Sequence, residues 1–501
     1  MNLKRWFPVA LLVGSISLQA QDQVAQKYGS MITPSDLKEN LSILASDAFE
    51  GRETGKRGQK IAAAFVRANF EDFGLAGPVN GAYLQPVELY TSILGDVTLK
   101  AGKSTLAHYE DFIYVGMADT GGEITVPVVF AGKGRKEDFD QIQVEGKIAL
   151  ITIGSDENSR PIAAMARERK AKALMVLNTA DAKAFKELAG QYKQYTSGGR
   201  LSLTRPDGQS QNGGTFLVAP ATVEKIFATT LDKLTKVANE DPAKGALKKF
   251  KPASLQYKIT TEVKSLKSEN VLGYLEGTDK KDEVVIITSH YDHIGKLSSG
   301  EGDRINNGAD DDGSGTVSVI QLAKVFAQAK KDGKGPRRSI LFMTVTGEEK
   351  GLLGSEYYSE HPIFPLANTV VDLNIDMVGR RDPQHKDSAP YVYVIGADKL
   401  SKELNTLSET TNKIYTNLIF DYTYNDQNHP DRLYYRSDHW NFAKKNIPII
   451  FYFDGIHEDY HKPSDEVDKI EFDLMAKRAQ CVFYTAWEIA NREQRIVPDA
   501  K

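Results

Sequence analysis

Five short segments in the second half of this 501-residue chain carry side chains of the types that bind metal ions. They are His290–His293 (HYDH), Asp310–Asp312 (DDD), Glu348-Glu349, Asp376 and Tyr460-His461. Three adjacent carboxylates repel each other, and a cation relieves that repulsion. One ligand from each segment gives two histidines and three carboxylates, a set that suits zinc, although cobalt or manganese fit similar ligands. One carboxylate can bridge two ions. The segments together predict a metal centre, most simply one that binds zinc.

Strongly apolar segments lie before or between these polar residues and predict the elements that position them. Four runs rich in β-branched residues predict buried strands, and three amphipathic stretches predict helices. The strands are expected at Val284–Thr288, Ser339–Thr346, Thr369–Ile375 and Ile447–Phe453, and the helices near Gly315–Ala329, Lys399–Asn412 and Phe472–Asn491. This alternation predicts an α/β fold with a mixed, mostly parallel sheet covered by helices on both faces. Because ligands bind beyond the carboxyl ends of such strands, we expect all five segments at one edge of the sheet.

The texture of the sequence changes between residues 100 and 251. Short β-branched runs alternate there with long polar stretches. The runs are Ile124–Phe130, Lys147–Ile153, Ala173–Leu177 and Thr215–Val218. The stretch carries no cluster of His, Asp and Glu at ligand spacing. We interpret it as a smaller α/β or β-rich domain, inserted into a discontinuous domain formed by residues 21–99 and 252–501.

Residues 1–20 (MNLKRWFPVALLVGSISLQA) have the pattern of a cleaved signal peptide. Lys4 and Arg5 precede an apolar run that is shorter than the ~20 residues needed to span a bilayer. We therefore expect an exported protein, periplasmic or secreted, without stable membrane insertion. The chain has one cysteine, Cys481, which cannot form an internal disulfide. A formal net charge of −4 argues against an electrostatic nucleic-acid binder.

Taken in order, the polar motifs resemble those of the di-zinc, co-catalytic exopeptidases, a family that includes secreted bacterial aminopeptidases and transferrin-receptor-like peptidases. The motifs are HYD at His290–Asp292, GADDDGSG at Gly308–Gly315, TGEEKGLLGS at Thr346–Ser355, NIDMVG at Asn374–Gly379 and DYHKPSD at Asp459–Asp465. The N-terminal LASDAFEGRETGKRG also resembles the start of such peptidase domains. Residues 100–251 resemble the protease-associated domain that some members carry as an insertion, through VVFAGKG, VEGKIALI and KALMVLN. The resemblance implies a zinc-dependent exopeptidase acting on peptides, most simply an aminopeptidase with two Zn²⁺ per chain.

The resemblance also implies a ligand set for the two ions. His290 and Asp376 would complete one zinc site, and Glu349 and His461 would complete the other. Asp311, the middle acid of its triplet, would bridge both ions. His293 and His457 are interpreted as residues outside this set.

Further roles follow from the same resemblance. Glu348 would be the general base for attack by a metal-bound water, and Tyr460 would donate a proton to the oxyanion. Asp292 would hydrogen-bond the far nitrogen of His290 and fix its tautomer. The loop of Arg436, Ser437 and Asp438 resembles a substrate pocket, and the neighbouring His439 is interpreted as a structural or pocket residue.

Other activities stay open at this point. Carboxypeptidases and dipeptidases share the same motifs. A glutaminyl-cyclase-like acyl transferase would retain one zinc ion, and a receptor-like protein would have lost ligands or the base. The sequence does not indicate the oligomeric state.

Overall fold

The computed structural model describes residues 22–196, 199–206 and 213–499, so the predicted signal peptide lies outside the described residues. The chain divides into two compact units, one formed by the residues up to Pro86 together with those from Ser268 onward, and the other by Val87–Lys267. The predicted insertion, residues 100–251, is therefore shorter at both ends than the second unit. Two long strands, β1 (Leu84–Ala101) and β9 (Ala253–Leu275), run across the unit boundaries, which explains why no change in composition marks them.

The remaining elements follow in chain order. The other strands are β2 (Ser104–Leu106), β3 (Phe112–Val115), β4 (Ile124–Phe130), β5 (Ile148–Thr152), β6 (Ala173–Leu177), β7 (Arg200–Ser202), β8 (Thr215–Val218), β10 (Lys280–His290), β11 (Arg338–Val345), β12 (Thr369–Ile375), β13 (Tyr391–Ile395), β14 (Ile419–Asp421) and β15 (Ile449–Phe453). The helices are α1 (Gln23–Gly29), α2 (Pro34–Leu44), α3 (Arg57–Asp72), α4 (Lys136–Phe139), α5 (Arg160–Glu168), α6 (Ala182–Thr196), α7 (Pro220–Phe227), α8 (Leu231–Asn239), α9 (Gly315–Lys331), α10 (Leu353–Glu360), α11 (Lys402–Tyr415), α12 (His439–Ala443) and α13 (Phe472–Asn491). Within the described ranges, no helix is both long enough and apolar enough to cross a membrane.

The first unit is built on a mixed, mostly parallel sheet with the strand order β14-β13-β15-β12-β10-β11-β9. β11, β10, β12 and β15 run parallel, with Ile286 of β10 opposite Leu341 of β11 and Asp372 of β12. The antiparallel pairs are β9 with β11 and β13 with β15. The predicted fold class is confirmed. The strand β13 was not predicted.

Helices cover both faces of this sheet. Successive side chains of a strand point to opposite faces, so Val285 and Ile287 of β10 pack in one apolar core while Val284 and Ile286 pack in another. The first core also contains buried residues of α1, α2, α3, α9 and α13. The second contains residues of α10 and α12. Burial on both faces gives the uninterrupted apolar runs from which these strands were predicted.

In the second unit, β4, β5, β6 and β8 run parallel, and β3 lies antiparallel to β8 at the edge. Alternate residues of β5 again face two cores, with Ile148 and Leu150 on one side and Ala149 and Ile151 on the other. The unit is therefore an α/β domain. Its resemblance to a protease-associated domain stays a prediction.

Candidate active site

The carboxyl ends of four neighbouring strands of the first unit deliver the predicted metal-binding residues to one edge of the sheet. β10 ends at His290, and Glu348 follows the end of β11. Asp376 follows β12 directly, and the loop after β15 contains His461. Asp311 lies in the turn that opens α9, between β10 and β11, and its peptide bond to Asp312 is cis. Segments far apart in the sequence meet here because parallel strands place their carboxyl ends together.

The ligand atoms of the five predicted residues form two groups that share Asp311. Nε2 of His290 lies 3.3 Å from Oδ1 of Asp311 and 3.5 Å from Oδ1 of Asp376. Nε2 of His461 lies 3.0 Å from Oδ2 of Asp311 and 3.1 Å from Oε2 of Glu349. Ligands about 2.0–2.1 Å from a tetrahedral zinc ion are separated by about 3.3 Å. The two groups therefore have the spacing of ligands around two ions, with Asp311 as the bridge.

The electrostatics of the cluster favour cations. Although burial opposes it, contact with Asp311 and Glu349 raises the pKa of His461 to about 10. Burial also opposes a charge on His290, yet Glu348, Asp376 and Asp311 raise its pKa well above the usual range. The same histidines hold the pKa of the Asp311 carboxyl well below its usual range in spite of burial. Oδ2 of Asp311 is buried, and none of its contacts with the described residues, the 3.0 Å approach of His461 included, has hydrogen-bond geometry. The residues present fit a pair of divalent cations.

Neighbouring side chains fix the orientation of the ligands. Ser437, predicted to bind substrate, donates from its hydroxyl to Oδ2 of Asp376 at 2.6 Å, and it accepts from Asn374. Nδ1 of His293 donates to Oε1 of Glu349 at 2.7 Å. His293 is fully buried. Its interpretation as a loop residue outside the site was wrong, since it holds the carboxylate that faces His461.

Asp312 ties three ligand-bearing segments together. Its carboxylate accepts hydrogen bonds from the backbone amides of His290 at 3.1 Å, Met377 at 3.1 Å and Gly315 at 2.8 Å. The carboxylate of Asp465 fixes the two residues before Asp312, because it accepts from the backbone amides of Asp310 and Asp311. The carboxylates of both aspartates thus accept hydrogen bonds from backbone amides and fix the main chain around the ligands.

Asp292 occupies a different place from the one predicted. Nδ1 of His290 donates to the backbone carbonyl oxygen of Asp292 at 3.0 Å, not to its carboxylate. The carboxylate accepts instead from the hydroxyl of Thr54 at 2.6 Å and from the backbone amide of Glu348 at 3.1 Å. Asp292 therefore fixes the tautomer of His290 through its main chain and positions Glu348 through its side chain.

Glu348 lines the pocket beside the ligands, and one of its carboxylate oxygens lies within 4.8 Å of ligand atoms of His290 and Asp376. Its Oε2 lies 3.8 Å from Nε2 of His290. Burial raises the pKa of the Glu348 carboxyl well above its usual range; His290 opposes the shift, and Glu349 and Asp376 reinforce it. A carboxylate with a raised pKa, next to a metal centre and not committed to it, can accept and release a proton.

The pocket in front of the centre combines the polar side chains of the metal-binding residues with an apolar wall. Its walls are Met377, Leu433, Phe451, Phe453 and Ile456, with Tyr460, Ser437 and Arg436 among the polar lining. Tyr460 stacks on His461 at 3.9 Å between ring centroids, and burial raises the pKa of its phenol. Arg436 is exposed, and its guanidinium has no hydrogen bond or ion pair with the residues that the structure describes.

Three other predicted or considered residues lie outside the pocket lining. Asp438 is fully buried and accepts from the hydroxyl of Ser355 at 2.5 Å, so its predicted place in the substrate pocket is wrong. His439 donates to the carbonyl oxygen of Tyr434 and stacks on Phe451, as expected of a structural residue. His457 lies 3.2 Å from Asp310, away from the ligand groups.

Comparison with known proteins finds similar peptidases. Residues 270–486 match the model described as Peptidase family M28. The chain is 25% identical over 380 residues to Aminopeptidase YwaD of Bacillus subtilis (strain 168), covering 74% of this chain and 68% of that protein. It is 24% identical over 269 residues to a probable zinc metalloprotease of Pyricularia oryzae, covering 46% of this chain and 51% of that protein, about half of its length. Among solved structures, an aminopeptidase from Aneurinibacillus sp. strain AM-1 has the same fold, with a TM-score of 0.60 at 19% identity over 95% of this chain and 98% of that one.

Proposed function

We propose that this chain, a peptidase whose family M28 domain spans residues 270–486, is an aminopeptidase that works with two zinc ions. The observation that carries the proposal is the pair of ligand groups that share the two oxygens of Asp311. The printed names of the relatives, an aminopeptidase and a probable zinc metalloprotease, support the same activity and metal. Other divalent metals fit the same ligands.

His290 and Asp376 would hold one ion, and Glu349 and His461 the other. When bound, such a pair lowers the pKa of a coordinated water to about 7 and draws electron density from the scissile carbonyl. Glu348 accepts the proton of the attacking water, because its carboxylate faces the pocket and lies farther from His290, at 3.8 Å, than those of Asp311 and Asp376, at 3.3 and 3.5 Å. It then returns that proton to the leaving nitrogen. Asp292 aids this transfer by fixing the amide of Glu348.

Tyr460 would stabilise the developing oxyanion. Because burial raises the pKa of its phenol, the hydroxyl keeps its proton at neutral pH and can donate a hydrogen bond. Its ring lies against His461, so the hydroxyl stays on the pocket side of the centre.

The walls of the pocket favour an apolar side chain at the residue that is released. Arg436 stands at the same pocket with no partner among the described residues, and a carboxylate is the group that its guanidinium binds best. We assign it to the free carboxylate of a short substrate. This residue favours a dipeptidase or carboxypeptidase as the second candidate function, since both activities require a nearby cation. A single-zinc acyl transferase is disfavoured because His290 with Asp376 and His461 with Glu349 both lie at ligand spacing. A receptor-like role is disfavoured because Glu348 is retained.

Export remains part of the proposal. Residues 1–20 support it through their positive start, apolar run and small residues at the end. Secretion assays with and without residues 1–20, scoring the N-terminus of the exported product, test it.

The central experiment uses the chain from residue 21 onward. Metal content is measured beside hydrolysis of amino-acyl p-nitroanilides, dipeptides and N-blocked dipeptides. About two zinc ions per chain with hydrolysis of substrates that have a free amine supports the aminopeptidase. Two zinc ions with cleavage of blocked substrates alone favours a carboxypeptidase. One ion or none without hydrolysis contradicts the peptidase mechanism.

A further inference from the structure

The segment Gly51–Thr54, near the N-terminus, lies outside the matched family domain but against the metal-binding loops of the same unit. The amide of His293 donates to the carbonyl oxygen of Arg52 at 3.1 Å, and the amide of Gly295 donates to that of Gly51 at 2.9 Å. Gly51 has a φ of +67°, and a Cβ there would lie 2.6 Å from the carbonyl oxygens of Asn306 and Gly295. Glycine alone permits this approach.

Arg52 places a fully buried guanidinium beneath the two ligand loops. It donates to the carbonyl oxygens of Tyr291 at 2.9 Å, Asn307 at 2.6 Å and Gly308 at 2.9 Å. Tyr291 follows the ligand His290, and the other two acceptors precede the bridging Asp311. No carboxylate of the described residues lies within 4 Å of the guanidinium, so carbonyl oxygens satisfy its donors.

A buried charge without an ion pair is costly, and removing its partners is more costly still. Burial, the larger effect, lowers the pKa of Arg52, and the negative charges of Asp311, Asp312, Asp465 and Asp292 oppose that shift in part. The rigid fork of arginine offers five donors spread over three nitrogens to acceptors on separate loops, whereas a lysine ammonium offers three donors from a single atom. Arg52 therefore fixes the distance between the loop that carries His290 and the loop that carries Asp311.

Thr54 acts on the same centre through Asp292. Thr54 is 2% exposed, and its hydroxyl donates to Oδ2 of Asp292 at 2.6 Å. Asp292 in turn accepts from Nδ1 of His290 with its backbone carbonyl oxygen, and from the amide of Glu348 with its carboxylate. One hydroxyl is thus two contacts away from a metal ligand and from the general base.

We infer that Gly51–Thr54 is an integral part of the metal centre, with Arg52 and Thr54 as positioning residues that hold His290, Asp311 and Glu348 in their metal-binding arrangement. The inference rests on the proposed zinc site. It predicts that these two side chains determine how tightly the metal is retained. Substitution of the partners that orient metal ligands commonly weakens metal affinity about 10–100-fold.

The test measures zinc affinity by equilibrium competition with a chromophoric chelator, on the chain from residue 21 onward. Thr54→Val keeps the size of the side chain and removes the donor, and Thr54→Ser restores the hydroxyl. Thr222→Val is the matched control, because the Thr222 hydroxyl is also buried and hydrogen-bonded, to Asp111, but lies in the other unit. Arg52→Lys is a second variant that keeps the charge and loses the fork.

We expect Thr54→Val to weaken zinc binding about 10-fold or more, with Thr54→Ser and Thr222→Val within about 3-fold of the wild type. Arg52→Lys should weaken it at least as much as Thr54→Val. Unchanged affinity in Thr54→Val and Arg52→Lys, with two zinc ions in the wild type, overturns the inference and leaves the proposed function intact. An equal loss in Thr222→Val also overturns it, since any buried hydroxyl would then serve. A wild type that binds no zinc overturns both.

Discussion

Replacing Glu348 or Glu349 by glutamine is expected to remove different functions, the general base in one case and a metal ligand in the other. Glutamine preserves the shape of the side chain but cannot accept a proton as a carboxylate does. Oε2 of Glu349 lies 3.1 Å from Nε2 of His461, whereas Oε2 of Glu348 lies 3.8 Å from Nε2 of His290. Glu349→Gln should therefore lose one metal ion, and Glu348→Gln should keep both.

The magnitude for Glu348→Gln follows from the role of a general base. Such a group contributes about 10²–10⁴ in rate, or about 3–5 kcal/mol of transition-state stabilisation. We expect kcat for an amino-acyl p-nitroanilide to fall by that factor, with KM within a few-fold because the apolar walls of the pocket are untouched. Glu360→Gln is the matched control, since Glu360 is exposed at the end of α10 and its variant should have wild-type kcat.

Stability gives an independent readout for the same variant. Burial raises the pKa of Glu348 in the folded protein, so the folded state binds this proton more tightly than the unfolded state. The ionised carboxylate therefore lowers stability progressively as the pH rises through the unfolded value near 4.5. In a chelator at pH 7, Glu348→Gln should unfold at a temperature no lower than that of the wild type. Loss of a metal ion in Glu348→Gln, or retention of more than a tenth of kcat, would refute the assignment of Glu348 as base.

Four further outcomes are expected. Arg436→Gln should raise KM for dipeptides at least several-fold and leave KM for p-nitroanilides unchanged. The control Arg432→Gln removes an exposed cation that stacks on Tyr435 at 4.7 Å, and it should alter neither KM. Equal effects of Arg436→Gln on both substrate types would argue against carboxylate binding. Gly51→Ala should lower the free energy of unfolding in urea by about 2 kcal/mol or more, because the added Cβ meets two carbonyl oxygens at a positive φ; a wild-type midpoint would contradict this. Burial lowers the pKa of His108 to about 4, so the second unit should lose stability as the pH falls from about 6.5 to about 4, and His108→Gln should flatten that dependence in thermal melts; an unchanged slope would exclude this histidine as the cause. Removal of the metal should lower the melting temperature, since a ligand at 100 times its Kd stabilises by about 2.7 kcal/mol, and identical melts with and without chelator would count against a site that binds in the folded state alone.

The sequence predicted the elements of the first unit best where apolar runs were continuous. β12 has the predicted bounds Thr369–Ile375, and β10, β11 and β15 overlap their predictions. Burial on both faces makes such runs unmistakable. β13 was missed, although YVYVI is a plausible strand, because no metal-binding motif follows it in the sequence.

The ligand set could be proposed from the motifs because each ligand stands beside a strand end or a helix start. The residues that orient the ligands could not be proposed from the motifs. Thr54 and Arg52 contact residues 238 and 239 positions away, and no local spacing records such a contact. His293 belongs to the HYDH motif, but its contact with Glu349 depends on how two loops meet. Asp438 was misassigned because an aspartate in a polar loop reads as exposed, whereas the structure buries it against Ser355.

The discontinuity of the first unit has a consequence for how the chain matures as it is synthesised. Val87–Lys267 is contiguous, so its sheet can form as soon as that stretch is complete. Residues 22–86 must wait longer, because Asp22 is held by Tyr415 and Trp487 and Arg52 by residues 291–308. Their apolar helices have no permanent cover until α13 has been made. The emerging chain is thus expected to expose its N-terminal helices to chaperones for most of translation, and to acquire hydrolytic activity only after residue 461 has been added.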